Sequence, residues 1–143
     1  MAEEFQFGDY DRTKVPDGLE GRKYSRHHVK VAGASYRADD VEAFLRAAEH
    51  CQASGLKFGV MLRREPTNSH DPNAIAVDGF WESSGFLRSR ENSVMLGYIP
   101  ADLARTIKER STRNSLMAAL LKNGWIGDEG GVAIDIAVFV TMD

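Results

Sequence analysis

Val132-Ala-Ile-Asp-Ile-Ala-Val-Phe-Val140 (VAIDIAVFV) alternates at a period of two. Val132, Ile134, Ile136, Val138 and Val140 fall on one face, and Asp135 sits among the residues of the other. Such alternation describes a β-strand with one face against a core. Leu56, Phe58, Val60 and Leu62 alternate in the same way with Lys57, Gly59, Met61 and Arg63, giving a second half-buried strand. His28–Tyr36 reads as a further strand with Val29 and Val31 on one side, and Ala74–Val77 and Val94–Ile99 as two more. Between the strands the period changes. Val41, Phe44, Leu45 and Ala48 stand at i, i+3, i+4 and i+7, the stripe of a helix that Asp39 or Asp40 can cap and Gly55 can end. Pro100 suits the first turn of a second helix, where its missing N–H does no harm. That helix turns Leu103 and Ile107 inward and Arg105, Lys108 and Arg110 outward. The spacing predicts a third, short helix over Ser115–Leu121, ending at Asn123-Gly124. Strands and helices do not alternate regularly, which argues against a doubly wound parallel sheet. The order points to a mainly β chain with helices (α+β), a small curled sheet or barrel with two or three helices beside it.

The chain has 143 residues, with 18 Lys+Arg against 21 Asp+Glu and a formal charge of −3. That length fits one domain with a core of its own. An acidic balance excludes a protein that lives on non-specific phosphate contacts, so any nucleic-acid contact needs a local, shaped site. One cysteine, Cys51, leaves no internal disulfide framework and no multi-cysteine metal site, and fits a reducing, cytoplasmic setting. The acidic start has no apolar leader segment, and no run is long enough to span a membrane. Met1–Ser25 is polar and punctuated by Pro16, Gly18 and Gly21. Residues 1–27 are therefore expected to be an extended arm with little regular structure, and 28–143 a single domain. Residues 79–92 hold Gly, Ser, Arg and bulky aromatics, and read as a protruding hairpin or loop.

Familiar catalytic signatures are missing: no phosphate loop of the GxxxxGK[ST] type, no GxGxxG, no HExxH and no GxSxG. The densest polar constellation is Glu65–Asn73 (EPTNSHDPN). A metal-dependent nuclease would recruit Glu65, His70 and Asp71 from it. A plain turn would use Asp71 and Asn73 to hydrogen-bond backbone amides ahead of the next strand. No further carboxylate stands at a helpful spacing, so neither a catalytic residue, a metal site nor a cofactor is assigned. His27 and His28 are adjacent on a strand and point to opposite faces. Cys51 lacks the cationic surroundings that activate a thiol. Arg63-Arg64, and separately Arg105, Lys108, Arg110 and Arg113, are local basic groups that serve either as a solvated face or as a phosphate track. Tyr36 and Tyr98 can stack on bases or complete the core. Phe80, Trp81, Phe86 and Leu87 make the 79–92 segment greasy, the composition of a docking surface for a protein partner.

Three stretches together resemble the HIRAN domain family: Val31–Tyr36 (VAGASY), Val60–Val77 (VMLRREPTNSHDPNAIAV) and Leu96–Ala104 (LGYIPADLA). The resemblance covers about Val29 to Ile107. It implies an OB-like β-barrel with helices attached, and a single-stranded DNA-binding module that recognises a free 3′ end. Members occur alone in bacteria and phages or fused to helicase-like remodellers and nucleases, so a helicase or nuclease is the implied protein partner and DNA repair, replication or defence the implied setting. Carried over by motif position, Asp71 takes the 3′-hydroxyl, Asn68 and His70 border the terminal nucleotide, Tyr36 stacks, and Tyr98 lines the pocket. The chain departs from the pattern in two places. An arginine followed by two aromatics is replaced by Ser35, Tyr36 and Arg37, so Arg37, two places along and on the same face of a strand, is expected to restore the phosphate contact. A lysine after the Gly-Tyr-Ile segment is replaced by Ala101.

Overall fold

The computed structural model describes residues 2–7, 23–85, 87–112 and 114–141. Pro16, Gly18, Gly21, Phe86 and Arg113, singled out above, lie outside them. In chain order the elements are β1 (Glu3–Gln6), β2 (Lys23–Lys30), a 3-10 turn (Ala34–Arg37), α1 (Ala38–Ser54), β3 (Phe58–Arg64), β4 (Ile75–Ser84), β5 (Ser89–Tyr98), α2 (Ala101–Arg110), β6 (Met117–Ile126) and β7 (Val132–Thr141). Among the described residues the chain is mainly β with two α-helices. Its strands form two antiparallel sheets, ordered β1-β6-β7-β2 and β3-β4-β5.

The strand reading holds at β7, where Ile134, Ile136, Val138 and Val140 are buried, although its second half is buried on both faces, Ala137 and Phe139 packing in a second cluster on the other side. The helical stripe holds at α1, whose Val41, Phe44, Leu45 and Ala48 are buried and which ends at Gly55 in the left-handed conformation, φ 73°. Neither Asp39 nor Asp40 caps α1 through its side chain; both sit in the first turn, where a carboxylate opposes the positive end of the helix dipole. One apolar cluster joins Phe5 of β1, Phe44 and Leu45 of α1, Ile75 and Val77 of β4, Leu96 of β5, Ile107 of α2 and Ile136 of β7. Gly79 and Gly124 let α1 come down on both sheets: a Cβ at Gly79 would lie 2.6 Å from the Phe44 ring, and one at Gly124 would strike Leu45.

Four expectations are corrected. Residues 117–121 are the start of β6, not a helix, because pairing with β7 on one side, and with β1 further along, outweighs the helix preference of Met, Ala and Leu. The described parts of the N-terminal arm are strands: β1 pairs with β6 and buries Phe5 in the core, and β2 begins at Lys23. Arg46 ties β1 to α1 by contacting Glu3 at 2.9 Å and Glu42 at 2.9 Å. Tyr36 and Arg37 belong to the 3-10 turn instead of a strand, because Gly33 at φ 75° ends the extended run. The two sheets are not closed into a barrel. What joins them is Ala32, which exchanges two backbone hydrogen bonds with Tyr98 (2.7 and 2.9 Å) one residue after Val31 N–H donates to Ile134 O at 3.0 Å.

The Ala32–Tyr98 pairing needs a bare backbone beside it. A Cβ on Gly97 would collide with the Ala32 carbonyl oxygen and lie 2.8 Å from Val31 Cγ1, at φ 153°. Backbone cannot swing aside as a side-chain tip can. Gly97→Ala is therefore expected to destabilise the fold by about 1–3 kcal/mol, as overpacking of a closed site does. The check is a urea unfolding curve, whose midpoint should fall while its slope stays unchanged.

Candidate functional site

Alternation at the end of β3 sends Arg63 and Arg64 to opposite faces. Arg63 crosses to β4, where Nε and Nη2 hold the Asp78 carboxylate at 2.9 and 3.2 Å, while Nη1 reaches Glu65 Oε2 at 2.8 Å. The other Glu65 oxygen accepts the Tyr98 hydroxyl at 2.9 Å and Asn68 Nδ2 at 3.1 Å. Glu65 thus sits at the centre of a network spanning three strands and the loop. These three donors hold its carboxyl below the usual carboxylate range, Asn68 contributing most, then Tyr98, then Arg63. In return the Glu65 contact, helped by burial, pushes the Tyr98 hydroxyl up, against the nearby charges of Arg37 and Arg63.

The loop after Glu65 is braced from within. Glu65 N–H donates to Ala74 O at 2.9 Å and Ala74 N–H to Asp71 O at 3.0 Å, closing the loop's neck. Asn68 Oδ1 accepts the backbone N–H groups of His70 (2.9 Å) and Asp71 (3.1 Å). Asp71 Oδ1 accepts the N–H of Asn73 at 2.9 Å. Bracing therefore falls to Asn68 and Asp71, with the Asn73 amide as a donor to one of them. Asp71 Oδ2 has no hydrogen-bond partner among the described residues.

Four of the six residues singled out in the sequence come together. Asn68, His70, Asp71 and Tyr98 line an open hollow of about 330 Å³, completed by Ala32, Ala74, Ile99 and Ala101. Tyr36 and Arg37 line a neighbouring hollow with Ser35, Asp39 and Asp40. Tyr36 is 92% exposed, so its ring completes no core. Arg37 is close enough to Tyr98 for its charge to act on that hydroxyl, although it gets there by the 3-10 turn and not by strand alternation. The sequence reading missed Glu65 as the organising anion. Its signal was the i, i+2 spacing from Arg63, which puts both on one face where a strand ends.

Other candidates resolve differently. Among the described residues no three His, Cys, Asp or Glu side chains are placed to hold a metal ion, and Glu65 is engaged by Arg63, Asn68 and Tyr98. Cys51 is buried, its thiol donates to Glu82 O at 3.2 Å, and burial pushes its pKa up. His28 faces Asp135 at 3.7 Å and Lys122 at 3.2 Å, while the His27 ring lies edge-on to Phe139 at 6.2 Å. The 79–92 segment is the far half of a long β4–β5 hairpin. Trp81 packs on Phe44, with ring centroids 6.2 Å apart, and the Phe80 ring covers Gly59, so these two aromatics serve the sheet instead of a docking surface; Leu87 is exposed. Among the described residues no helix is long and apolar enough to cross a membrane.

A family model described as HIRAN domain matches residues 24–126, from the second residue of β2 to the end of β6. It includes β6, which the three motif stretches left out. No curated protein and no solved structure matches the chain.

Glu65 makes the site sensitive to acid. A carboxyl whose folded pKa is lowered stabilises the fold above its ordinary value, about 4.5, and that contribution fades as the pH falls through the lowered value. Thermal melts of the protein and of Glu65→Gln are expected to differ most near neutral pH and to converge as the pH is lowered through the carboxylate range. A gap that stays constant with pH would remove Glu65 from this role.

Proposed function

This chain belongs to the HIRAN domain family, and from that premise we propose that it is a binding module for single-stranded DNA that takes a free 3′ end. The observation that carries the reading is Asp71, which lines a hollow open to solvent with Tyr98 and His70 and whose Oδ2 has no hydrogen-bond partner among the described residues. A terminal 3′-hydroxyl is a donor, and a fixed carboxylate oxygen is the acceptor it fits. A terminal phosphate in the same place would meet a like charge and be rejected. Tyr36, exposed on the adjoining turn, supplies the flat face on which the terminal or preceding base stacks, and Arg37 supplies a cation for the backbone. Asn68 works at one remove, because both ends of its amide are occupied in shaping the loop. His70, exposed at the loop tip, borders the nucleotide. The module works by binding and carries out no reaction of its own, in a repair, replication or defence setting where a helicase or nuclease acts on the same end.

Asp71→Asn keeps an Oδ1 acceptor for the Asn73 amide, so it tests the charge without dismantling the turn. Fluorescence anisotropy with matched oligonucleotides is expected to show the unmodified protein preferring a 3′-hydroxyl over a 3′-phosphate, and Asp71→Asn losing most of that preference. Equal affinity of the unmodified protein for the two ends would end this reading of Asp71.

Tyr36→Ala separates binding from folding. Removing a base-stacking ring weakens single-strand binding by about 1–3 kcal/mol. A ring this exposed contributes almost nothing to packing, so the melting temperature should stay where it was. Unchanged affinity would take Tyr36 out of the interface.

A further inference from the structure

On the other side of the 65–74 loop lies a second cleft, about 220 Å³ in volume, lined by Arg64, Pro66, Pro72, Asn73, Ala74, Lys108, Ser111 and Thr112. We infer that this cleft is a subsite for a second stretch of phosphodiester backbone, so that the loop is a partition with the strand end on one side and a phosphate on the other. The inference rests on the single-strand reading of the first hollow and extends it.

Three observations on independent elements support it. Arg64 is fixed in place: its Nη2 donates to Ser111 Oγ at 3.1 Å and to Thr112 O at 3.2 Å, leaving Nε and Nη1 without a partner among the described residues. A guanidinium held by one nitrogen and open at the other two presents its remaining donors to a phosphate at little entropic cost. The lining carries two cations and no acid, whereas Asp71 lines the first hollow, Asp39 and Asp40 line the hollow of Tyr36, and Glu65 lines a shallow groove that Arg63 and Arg64 share. On a chain of net charge −3 this is a local reversal of sign, the feature expected where phosphate is to be held. Finally, α2 connects the two sites. Ala101 lines the first hollow and Lys108 the second cleft. Ala101, Arg105 and Lys108 stand at i, i+4 and i+7 on one stripe of α2, roughly 10 Å from end to end at 1.5 Å per residue. Arg105 and Lys108 are exposed, and neither has a partner among the described residues. The stripe is a cationic rail from the end pocket to Arg64.

The phosphate could come from a more distant part of the same strand or from the complementary strand of a duplex that ends at the pocket. Three labelled ligands sharing one 3′-terminal sequence distinguish these sources: a single strand of about four nucleotides, the low end of an OB-fold site, a long single strand, and a duplex with a short 3′ overhang. Their affinities for the full chain, for Lys108→Gln and for Arg105→Gln with Lys108→Gln are measured by anisotropy across a salt series, with a thermal melt of each variant. We expect several-fold weaker binding of a ligand that reaches the cleft, and a salt dependence (the slope of log K against log salt) shallower by about 0.9 per lost phosphate contact on duplex or about 0.7 on single strand. Loss confined to the overhang duplex assigns the subsite to the second strand, and loss on the long single strand assigns it to the same strand. Equal loss on all three ligands, or no loss on the two larger ones while the short strand still binds, overturns the inference and leaves the end-binding reading standing. Failure of the unmodified protein to bind even the short strand overturns both.

Discussion

Everything about the site depends on two peptide groups hydrogen-bonded to each other across the gap between the sheets. Ala32 follows a strand of one sheet and Tyr98 ends a strand of the other, and their paired backbone hydrogen bonds fix the distance between sheets that are otherwise joined by packing. Glycine at 97 is what allows the approach. From that contact the geometry follows in both directions along the chain. After Ala32, Gly33 turns the backbone into the 3-10 turn that carries Tyr36 and Arg37; after Tyr98, Pro100 opens α2 beside the same hollow. An aromatic, a cation and a helix start are gathered at one place because two chain crossings are pinned there.

Glu65 organises what the crossing gathers. A carboxylate beside a surface meant for an anionic polymer would be a repulsive element if left alone. Here Arg63 offsets its charge and the Tyr98 and Asn68 donors occupy one of its oxygens, so the anion serves as a fixed post on which the loop hangs. The arrangement also explains the division of labour between neighbouring arginines. Arg63 is spent on the Asp78 and Glu65 carboxylates, while Arg64, turned to the opposite face by the strand's pleat, engages Ser111 and Thr112 through one nitrogen only.

The parts of the fold that could be read in the sequence are those whose pattern is set locally. β7 and β3 alternate, α1 shows its stripe and its terminal glycine, and the EPTNSHDPN loop declares itself by turn-forming residues. β6 could not be read, because Met117–Leu121 prefers a helix in isolation and becomes a strand only through β7, and through β1 further on, partners distant in sequence. β1 was hidden for the same reason. At the site, the resemblance to the HIRAN domain singled out Asn68, His70, Asp71 and Tyr98 by motif position, and the hollow does bring these four together. Their separate roles were not legible, since which oxygen braces a turn and which stays open is decided by a fraction of a turn of backbone. The pairing of Arg64 with Lys108 was beyond sequence reading altogether, as it requires knowing where α2 lies against the end of β3.

The single thiol offers a use of a different kind. Cys51 is shut between the last turns of α1 and the Glu82 carbonyl of the long hairpin, so an alkylating reagent reaches it only when that seam parts. With no second sulfhydryl in the chain to confuse the signal, the pace of labelling is a clock for how often the helix lifts from the sheet. A bound oligonucleotide that tightens the region would slow that clock even though it sits nowhere near the sulfur.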